Sequence, residues 1–291
     1  MTVDIMMPFY GDVRQMRDAV NSVLRQTSDN WRLVVIDDQY PDPSIGEWLR
    51  AMEDPRVTYL RNNENLGSNG NFRRCVELAE NELTVIMGCD DVLLPNYVAW
   101  VEETAERHPE AAVFQPGVVV IDENDALSNT LVEKMKAYYR PKQSSLIKGE
   151  EFAMTILRGN WLYFPSLAWR TDVLKKHNFP QGYEIVLDMA LLLDMAMDGC
   201  SLLYDQTVAF MYRRHSNSYS SSSALDGMRF DEERKFFSEI SARSRTMGWQ
   251  KAALTATLHL SSRLHAVTLL PKTVAARNWT GSKALSRHII Q

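Results

Sequence analysis

The sequence predicts an α/β fold: a mostly parallel sheet flanked by helices, with a helical C-terminal appendage. Three observations predict it. Apolar strand-like segments alternate with helical ones through the first half of the chain. Those strand segments are apolar throughout, without the alternation of a sheet that has one wet face, so both faces must be covered. In the last part of the chain Leu254, Leu258, Leu264 and Val267 recur at roughly helical spacing.

Residues 3–7 (Val-Asp-Ile-Met-Met) read as the first strand and 13–26 as the helix that follows it. Residues 32–36 are a second buried strand that runs into Asp37 and Asp38. Pro41, Asp42 and Pro43 form a turn, and a short helix follows to about residue 52. Residues 57–60 are a third strand, 71–79 a helix and 83–87 a fourth strand. A helix running from Pro95 is expected next, because proline suits the first helical turn. Residues 112–121 are a further strand interrupted by Pro116 and Gly117, and the polar stretch 122–143 reads as a mobile loop or excursion. A strand at 208–211 leads into Tyr212, Arg213, Arg214 and His215. There is no internal repeat, and the one low-complexity patch is the serine run 220–223, in a loop from 216 to 223 that is expected to close over bound ligand.

A chain of 291 residues holds one large α/β domain with an appendage, or two small domains. With 45% hydrophobic and 24% charged residues it has an ordinary globular composition, and no apolar run is long enough to span a bilayer. Cys75, Cys89 and Cys200 are odd in number and lack metal-type spacing, which fits a reducing cytoplasm and buried apolar roles. No nucleic-acid partner is expected. The net charge of −5 conceals an asymmetry. Of the 32 basic residues six lie from Lys251 onwards, where no acidic residue occurs, so that segment is +6 and the remainder, with 26 basic against 37 acidic, is −11. Flanked by Trp249 and Trp279, this basic helical segment can lie on an anionic membrane surface, or pack on the main domain with its charged face in water.

Parallel sheets bind ligands at the carboxyl ends of their strands. Three strands end in chemically capable residues: Pro8-Phe9-Tyr10, Asp37-Asp38 and Asp90-Asp91. Neither a Gly-x-Gly-x-x-Gly nor a P-loop follows any of them, which excludes those two phosphate cradles and leaves a nucleotide site built on carboxylates. Asp37 or Asp38 can accept hydrogen bonds from a base or ribose, or can form the turn before Pro41. The adjacent carboxylates of Asp90 and Asp91 repel, so they call for a cation such as Mg²⁺ or Mn²⁺, or for use as a helix cap.

These segments, in this order and joined by Ser22-Val23-Leu24-Arg25-Gln26-Thr27, Asn65-Leu66-Gly67 with Asn71-Phe72, and Asp90-Asp91-Val92-Leu93-Leu94-Pro95, resemble the family 2 glycosyltransferases, inverting enzymes of the GT-A (Rossmann-like) fold, and are similar to rhamnosyl-type bacterial members. The resemblance implies a domain over 1–224, with a nucleotide half at 1–122 and an acceptor half at 145–224, ahead of a helical basic region at 225–291. It implies that Asp38 reads the base, that Pro8 and Tyr10 line the same pocket, and that Asn65 and Gly67 belong to the donor site. Asp90 matches the last Asp of an Asp-x-Asp metal motif whose first Asp is here Gly88, with Asp91 beside it. Mn²⁺ or Mg²⁺ is the implied cofactor, with His215 completing its shell, and Arg213 and Arg214 can grip the diphosphate.

Asp188 falls where similar enzymes carry the Asp of an acidic pair whose other member is here Leu187. Independently of the resemblance, a single displacement needs one base for the acceptor hydroxyl, and a carboxylate among Val186, Leu187 and Met189 can be desolvated enough to serve. A helix cap is its alternative role, and Asp194 and Asp198 are expected in water. Asn160 and Trp161 are candidates for the acceptor wall, Trp161 by stacking on a sugar or else as a core residue. The expected reaction moves a sugar from a nucleoside-diphosphate sugar, UDP- or dTDP-linked, to a glycan or lipid-linked glycan in cell-envelope polysaccharide synthesis. The expected setting is the cytoplasm, at the inner face of the plasma membrane. A catalytically idle nucleotide-sugar-binding scaffold is the alternative, and a nucleotidyltransferase lacks its glycine-rich phosphate loop here.

Overall fold

Side chains at nearly all successive positions of the first strands are buried, odd ones on one sheet face and even ones on the other. In β1 (Val3–Phe9) Ile5, Met7 and Phe9 enter one core and Met6 the other; in β2 (Trp31–Asp37) Leu33 and Val35 divide from Val34 and Ile36 in the same way. This two-sided burial explains why these strands carry no polar alternation. The computed structural model describes residues 1–215 and 228–290.

The strands join in one nine-stranded sheet. β1 pairs in parallel with β2 and with β4 (Leu83–Ile86), and β2 in parallel with β3 (Val57–Arg61). Beyond β4 the sheet continues through β8 (Ala168–Arg170), antiparallel to its neighbours, to β6 (Val113–Ile121) and β9 (Ser201–Arg213), which are parallel to each other. The short β5 (Val92–Leu93) and β7 (Ser145–Lys148) both pair antiparallel with β9. The predicted interruption at Pro116 and Gly117 is a register shift within a continuous β6. Gly117 is required there, because a Cβ would stand 2.6 Å from the carbonyl oxygen of Gln206.

Helices cover both faces. α1 (Val13–Leu24), capped by Asp12 accepting from the Gln15 N–H at 2.9 Å, and α4 (Tyr97–Arg107) pack on one core. α2 (Ser44–Arg50) lies beside α1 and β3. α3 (Gly67–Leu78), α6 (Gly149–Arg158), α7 (Thr171–His177) and α8 (Leu187–Met197) pack on the other. The segment from Ser22 to Thr27 acts as a brace. Ser22 Oγ accepts from Leu93 N at 3.0 Å, and the Gln26 amide bonds to the Leu94 carbonyl at 2.8 Å and to Val98 N at 2.9 Å. Together they fix the chain that follows Asp90 and Asp91.

One expectation is corrected, and the expected helical appendage gains detail. The polar stretch 122–143 contains a helix, α5 (Leu131–Tyr139), begun by a capping box in which Thr130 and Glu133 satisfy each other's backbone N–H. The helical periodicity beyond residue 250 is broken into α10 (Gln250–Leu258) and α11 (Leu260–Ala275), after α9 (Met228–Thr246) and before α12 (Trp279–Ile290). The break is His259, at φ 29°, whose ring stacks on Phe237 with centroids 4.9 Å apart. α9 and α10 bury Phe236, Phe237, Ile240, Ala252 and Ala256 against the main core, so the appendage is packed on the sheet domain.

Candidate active site

The strand ends predicted to carry function lie along one edge of the sheet, where β1, β2 and β4 run parallel. Pro8 is half-buried in β1 and Tyr10 is 56% exposed, its ring edge-on to Tyr40 at 5.4 Å. Asp37 is buried and structural: it accepts from Tyr40 N at 2.7 Å and from the Tyr59 hydroxyl, and lies 3.5 Å from Arg61. Asp38, 2% exposed, organises the next loop. Its Oδ1 accepts from Asn62 Nδ2 at 2.7 Å and Leu66 N at 2.8 Å, and its carbonyl accepts from Asn65 Nδ2 at 3.0 Å. Asn65 Oδ1 in turn accepts from Gly67 N at 2.9 Å, and Gly67 has φ +69°, a conformation that favours glycine. Asp38, Asn65 and Gly67 are thus joined by hydrogen bonds at the end of β2, beside the end of β1 that carries Pro8 and Tyr10.

After β4 the chain turns through Gly88. Asp91 is 1% exposed and its Oδ1 accepts the Arg213 N–H at 2.8 Å; burial first, and the Asp90 charge second, push its pKa well up. Asp90 faces outward, with Oδ2 2.8 Å from His215 Nε2, and this hydrogen bond raises the pKa of His215. Both carboxylates fold back over Gly88: a Cβ at that position would be 2.5 Å from Asp91 Oδ2 and 2.8 Å from Asp90 Oδ1. Among the described residues no group of three or more His, Cys, Asp or Glu is arranged to hold a metal ion. Asp90 and His215 make a two-donor set that fits a divalent ion only with oxygens from a bound ligand.

The Arg213 side chain, expected at the diphosphate, is instead occupied within the protein. It is buried, with Nε on the Asp90 carbonyl at 2.7 Å and Nη1 on Asp122 O at 3.2 Å and Asp125 Oδ1 at 2.5 Å, so it clamps the Asp90 backbone. Arg214, half-buried, pairs through Nε with Glu133 at 2.5 Å. The predicted closing loop 216–223 lies outside the described residues.

On the acceptor side Asp188 sits in the first turn of α8, whose cap is Val186, so it is not the capping residue. Asn160 Nδ2 reaches Asp188 Oδ2 at 3.3 Å, and the Asp188 pKa is raised, chiefly by burial, against the opposing charge of Lys136. Asp194 and Asp198 are apart from it, paired with Arg243 at 2.6 Å and Lys176 at 2.5 Å. The acceptor role expected of Trp161 is corrected. Its indole is 1% exposed, donates to Thr155 Oγ1 at 2.8 Å and packs edge-on against Tyr204, so it is a core residue and not an open stacking platform.

Sequence reading missed Lys136 and Glu133, both on α5. Lys136 Nζ donates to the Leu162 carbonyl at 2.6 Å and lies 4.3 Å from the centre of the Tyr163 ring. Burial, then the charge of Arg214, lower its pKa to about 7, while Asp188 and Glu133 oppose the shift. Arg214 pairs with Glu133, and the charges of Arg214, Glu133 and Asp188 all act on Lys136. The spacing Thr130-x-x-Glu133 was the available signal for α5.

The family described as glycosyl transferase family 2 matches residues 4–168. A putative colanic acid biosynthesis glycosyl transferase, WcaA, of Escherichia coli K12 is 30% identical over 95 residues, 32% of this chain and 34% of its own. The match thus spans about a third of that relative's length. Among solved structures, TarS of S. aureus (residues 1–349) with UDP-GlcNAc superposes with a TM-score of 0.68 at 13% identity, over 89% of this chain and 73% of that one. Mannosyltransferase PcManGT of Pyrobaculum calidifontis with GDP-Man and Mn²⁺ gives a TM-score of 0.58 at 14% identity, over 99% and 85%. At these identities the structural likeness establishes a shared GT-A fold.

Proposed function

We propose that this chain, which belongs to glycosyl transferase family 2, is an inverting transferase moving a sugar from a nucleoside-diphosphate sugar to a glycan or lipid-linked glycan of the cell envelope. The observation that carries the reading is Asp188, a half-buried carboxylate with a raised pKa, hydrogen-bonded by Asn160 and within the electrostatic reach of Lys136. Neighbours of the same fold bind UDP-GlcNAc and GDP-Man, and WcaA is named for polysaccharide biosynthesis, which supports a nucleotide-sugar donor and an envelope glycan.

In this reading the base and ribose lie against Pro8, Tyr10, Asp38, Asn65 and Gly67. Asp188 takes the acceptor hydroxyl proton as that oxygen bonds to the anomeric carbon from the face opposite the diphosphate. The bond from the anomeric carbon to the diphosphate breaks, and its electron pair leaves on the diphosphate oxygen. Arg214 and His215, whose pKa the Asp90 hydrogen bond raises, face that growing negative charge. One displacement inverts the anomeric centre and needs no covalent enzyme intermediate. A bound Mn²⁺ or Mg²⁺ would be held by Asp90, and by His215 once its Nε2 proton is displaced, together with diphosphate oxygens, and would neutralise the leaving group.

The appendage supports a place at the cytoplasmic membrane face. No described helix is long and apolar enough to cross a membrane. Leu254, Leu258, Leu264, Val267 and Trp279 are exposed in a segment with six basic and no acidic residues. The idle scaffold is the second reading, favoured by Gly88 and Leu187 standing where two family carboxylates would be.

The test is thermal stabilisation by UDP-, dTDP- and GDP-sugars, with Mn²⁺ or with EDTA, followed by transfer assays of Asp188→Asn. A ligand at a hundred times its Kd stabilises by about 2.7 kcal/mol, easily read as a rise in Tm. Stabilisation by one nucleotide family, with transfer lost in Asp188→Asn and binding kept, is expected. Binding without turnover in the wild type means a scaffold, and no stabilisation by any nucleotide sugar sinks the transferase reading.

A further inference from the structure

The structure contains a cavity of about 230 Å³ between α5 and β6, walled by Val118, Val120, Lys136, Arg140, Trp161 and Tyr163. We propose that it is the seat of an anionic group carried by the acceptor, a uronate carboxylate or a sugar phosphate, with Lys136 as its ion partner and Arg140 as the second cation. The proposal deepens the transferase reading and rests on it, because nothing else makes this cavity an acceptor subsite.

The cationic charge on the cavity lining is uncompensated. Four charged side chains line the cavity: Glu133, Lys134, Lys136 and Arg140. The single carboxylate among them, Glu133, is already engaged by Arg214 at 2.5 Å. Lys134, Lys136 and Arg140 have no carboxylate partner within ion-pair distance among the described residues. Lys136 is drawn inward, with the Leu162 carbonyl, at 2.6 Å, as its one side-chain hydrogen-bond acceptor among the described residues, and an ammonium carries three N–H donors. A cation removed from water with donors unspent gains more from an anion than an exposed lysine does. Ser128 and Asn129 add neutral hydrogen-bonding groups on the same lining, and Val118 and Val120 an apolar wall, a combination suited to one sugar ring with one charged substituent.

The cavity also adjoins the proposed chemistry. Lys136 holds the Leu162 carbonyl; Leu162 N donates to Asn160 Oδ1 at 3.3 Å; and Asn160 Nδ2 donates to Asp188 at 3.3 Å. An acceptor sugar anchored at Lys136 is therefore registered, through three residues, against the group that would deprotonate its hydroxyl. Facing Lys136 are Glu133 on its own helix, Tyr163, Asp188 of α8 and Arg214 at the end of β9; its pKa of about 7 means that the anchor is charged in neutral to acidic solution and weakens above it.

The full-length protein, with the nucleotide that stabilises it present, would be titrated calorimetrically with D-glucuronate, glucose 6-phosphate, glucose and inorganic phosphate, in the wild type, Lys136→Met and Lys136→Arg. One acidic sugar should bind at least roughly tenfold more tightly than glucose. Lys136→Met should abolish that preference and Lys136→Arg keep it. The wild-type preference should decline as pH rises past 7, and that of Lys136→Arg should not. Preference for glucuronate identifies a carboxylate group, and preference for glucose 6-phosphate a phosphate. The proposal is overturned by equal binding of glucose, by no binding of either acidic sugar, or by an unchanged preference in Lys136→Met. It is also overturned if inorganic phosphate alone binds as tightly as the sugar phosphate, since that marks an anion site with no sugar. Should Lys136→Met fail to fold, the pH dependence of the wild type against Lys136→Arg decides. Nucleotide binding in the same samples separates the outcomes: if it is lost the transferase reading fails, and if it persists without acidic-sugar binding only the subsite does.

Discussion

Gly88 is where this chain departs most visibly from a two-aspartate metal motif, and its surroundings show why an aspartate is not simply missing. The space that its side chain would enter is filled by the Asp90 and Asp91 carboxylates, 2.8 and 2.5 Å from a Cβ built there. Gly88→Asp is therefore expected to lower Tm and weaken donor-dependent stabilisation rather than restore a stronger metal site, as thermal shift with and without Mn²⁺ would measure. At Asp188 the raised pKa sets a sign. The base works only when ionised, so kcat/KM should fall as pH drops through a value above the ordinary carboxylate range near 4. Asp188→Asn should cost roughly 100- to 10,000-fold in kcat/KM with little change in Tm. Trp161→Ala tests the opposite assignment. As a buried core residue it should cost about 3–5 kcal/mol of stability by denaturant unfolding, where an acceptor-stacking residue would change KM alone.

At the scale of elements, α5 decides what the acceptor half contains. It begins with a reciprocal cap, and Thr130→Ala should remove about 1 kcal/mol locally, visible as faster amide exchange over residues 131–139 and a weaker grip of Glu133 on Arg214. In the appendage α9, α11 and α12 meet around Glu233, Ser262 and His288, with Ser262 Oγ 2.7 Å from His288 Nε2. Burial, opposed by Glu233, depresses the His288 pKa to about 4, below the unfolded value near 6.5. The unfolded chain thus binds the extra proton first. The stability of this cluster is fully present above about 6.5 and is lost as pH falls toward 4, by on the order of a few kcal/mol. Urea unfolding at pH 7 and pH 5 should show the loss, and His288→Gln should shrink it.

The whole molecule is divided electrically as well as structurally. A body of charge −11 carries a segment of +6 whose exposed face also bears Leu254, Leu258 and Leu264. On an anionic bilayer the body is repelled and the appendage attracted, so any contact is oriented with the appendage down. Binding to vesicles rich in phosphatidylglycerol should be clear at low salt and should fall steeply once the Debye length shrinks to about 3 Å near 1 M salt. Equal sedimentation with neutral vesicles would leave the basic residues without this role.

Some of this was legible in the residues alone. Predominantly apolar strands declared a sheet buried on both faces, since the apolar residues of β1 and β2 enter one core or the other, and strand ends rich in Asp marked the candidate ligand edge. The family resemblance was legible too, because its motifs are short runs whose order survives in one dimension. What sequence could not decide was which polar groups are free. Arg213 looks like a phosphate ligand until its guanidinium is seen closed over the Asp90 backbone, and Trp161 looks like a sugar platform until Thr155 and Tyr204 enclose it. Lys136 looks like one more exposed lysine in a polar stretch until α5 folds it against Leu162 and Tyr163. Local pattern and apolar periodicity depend on neighbours in the chain, and so the sequence determines elements and their burial. Hydrogen-bond partners, desolvation and charge balance depend on groups dozens of residues away, and only the tertiary structure decides them.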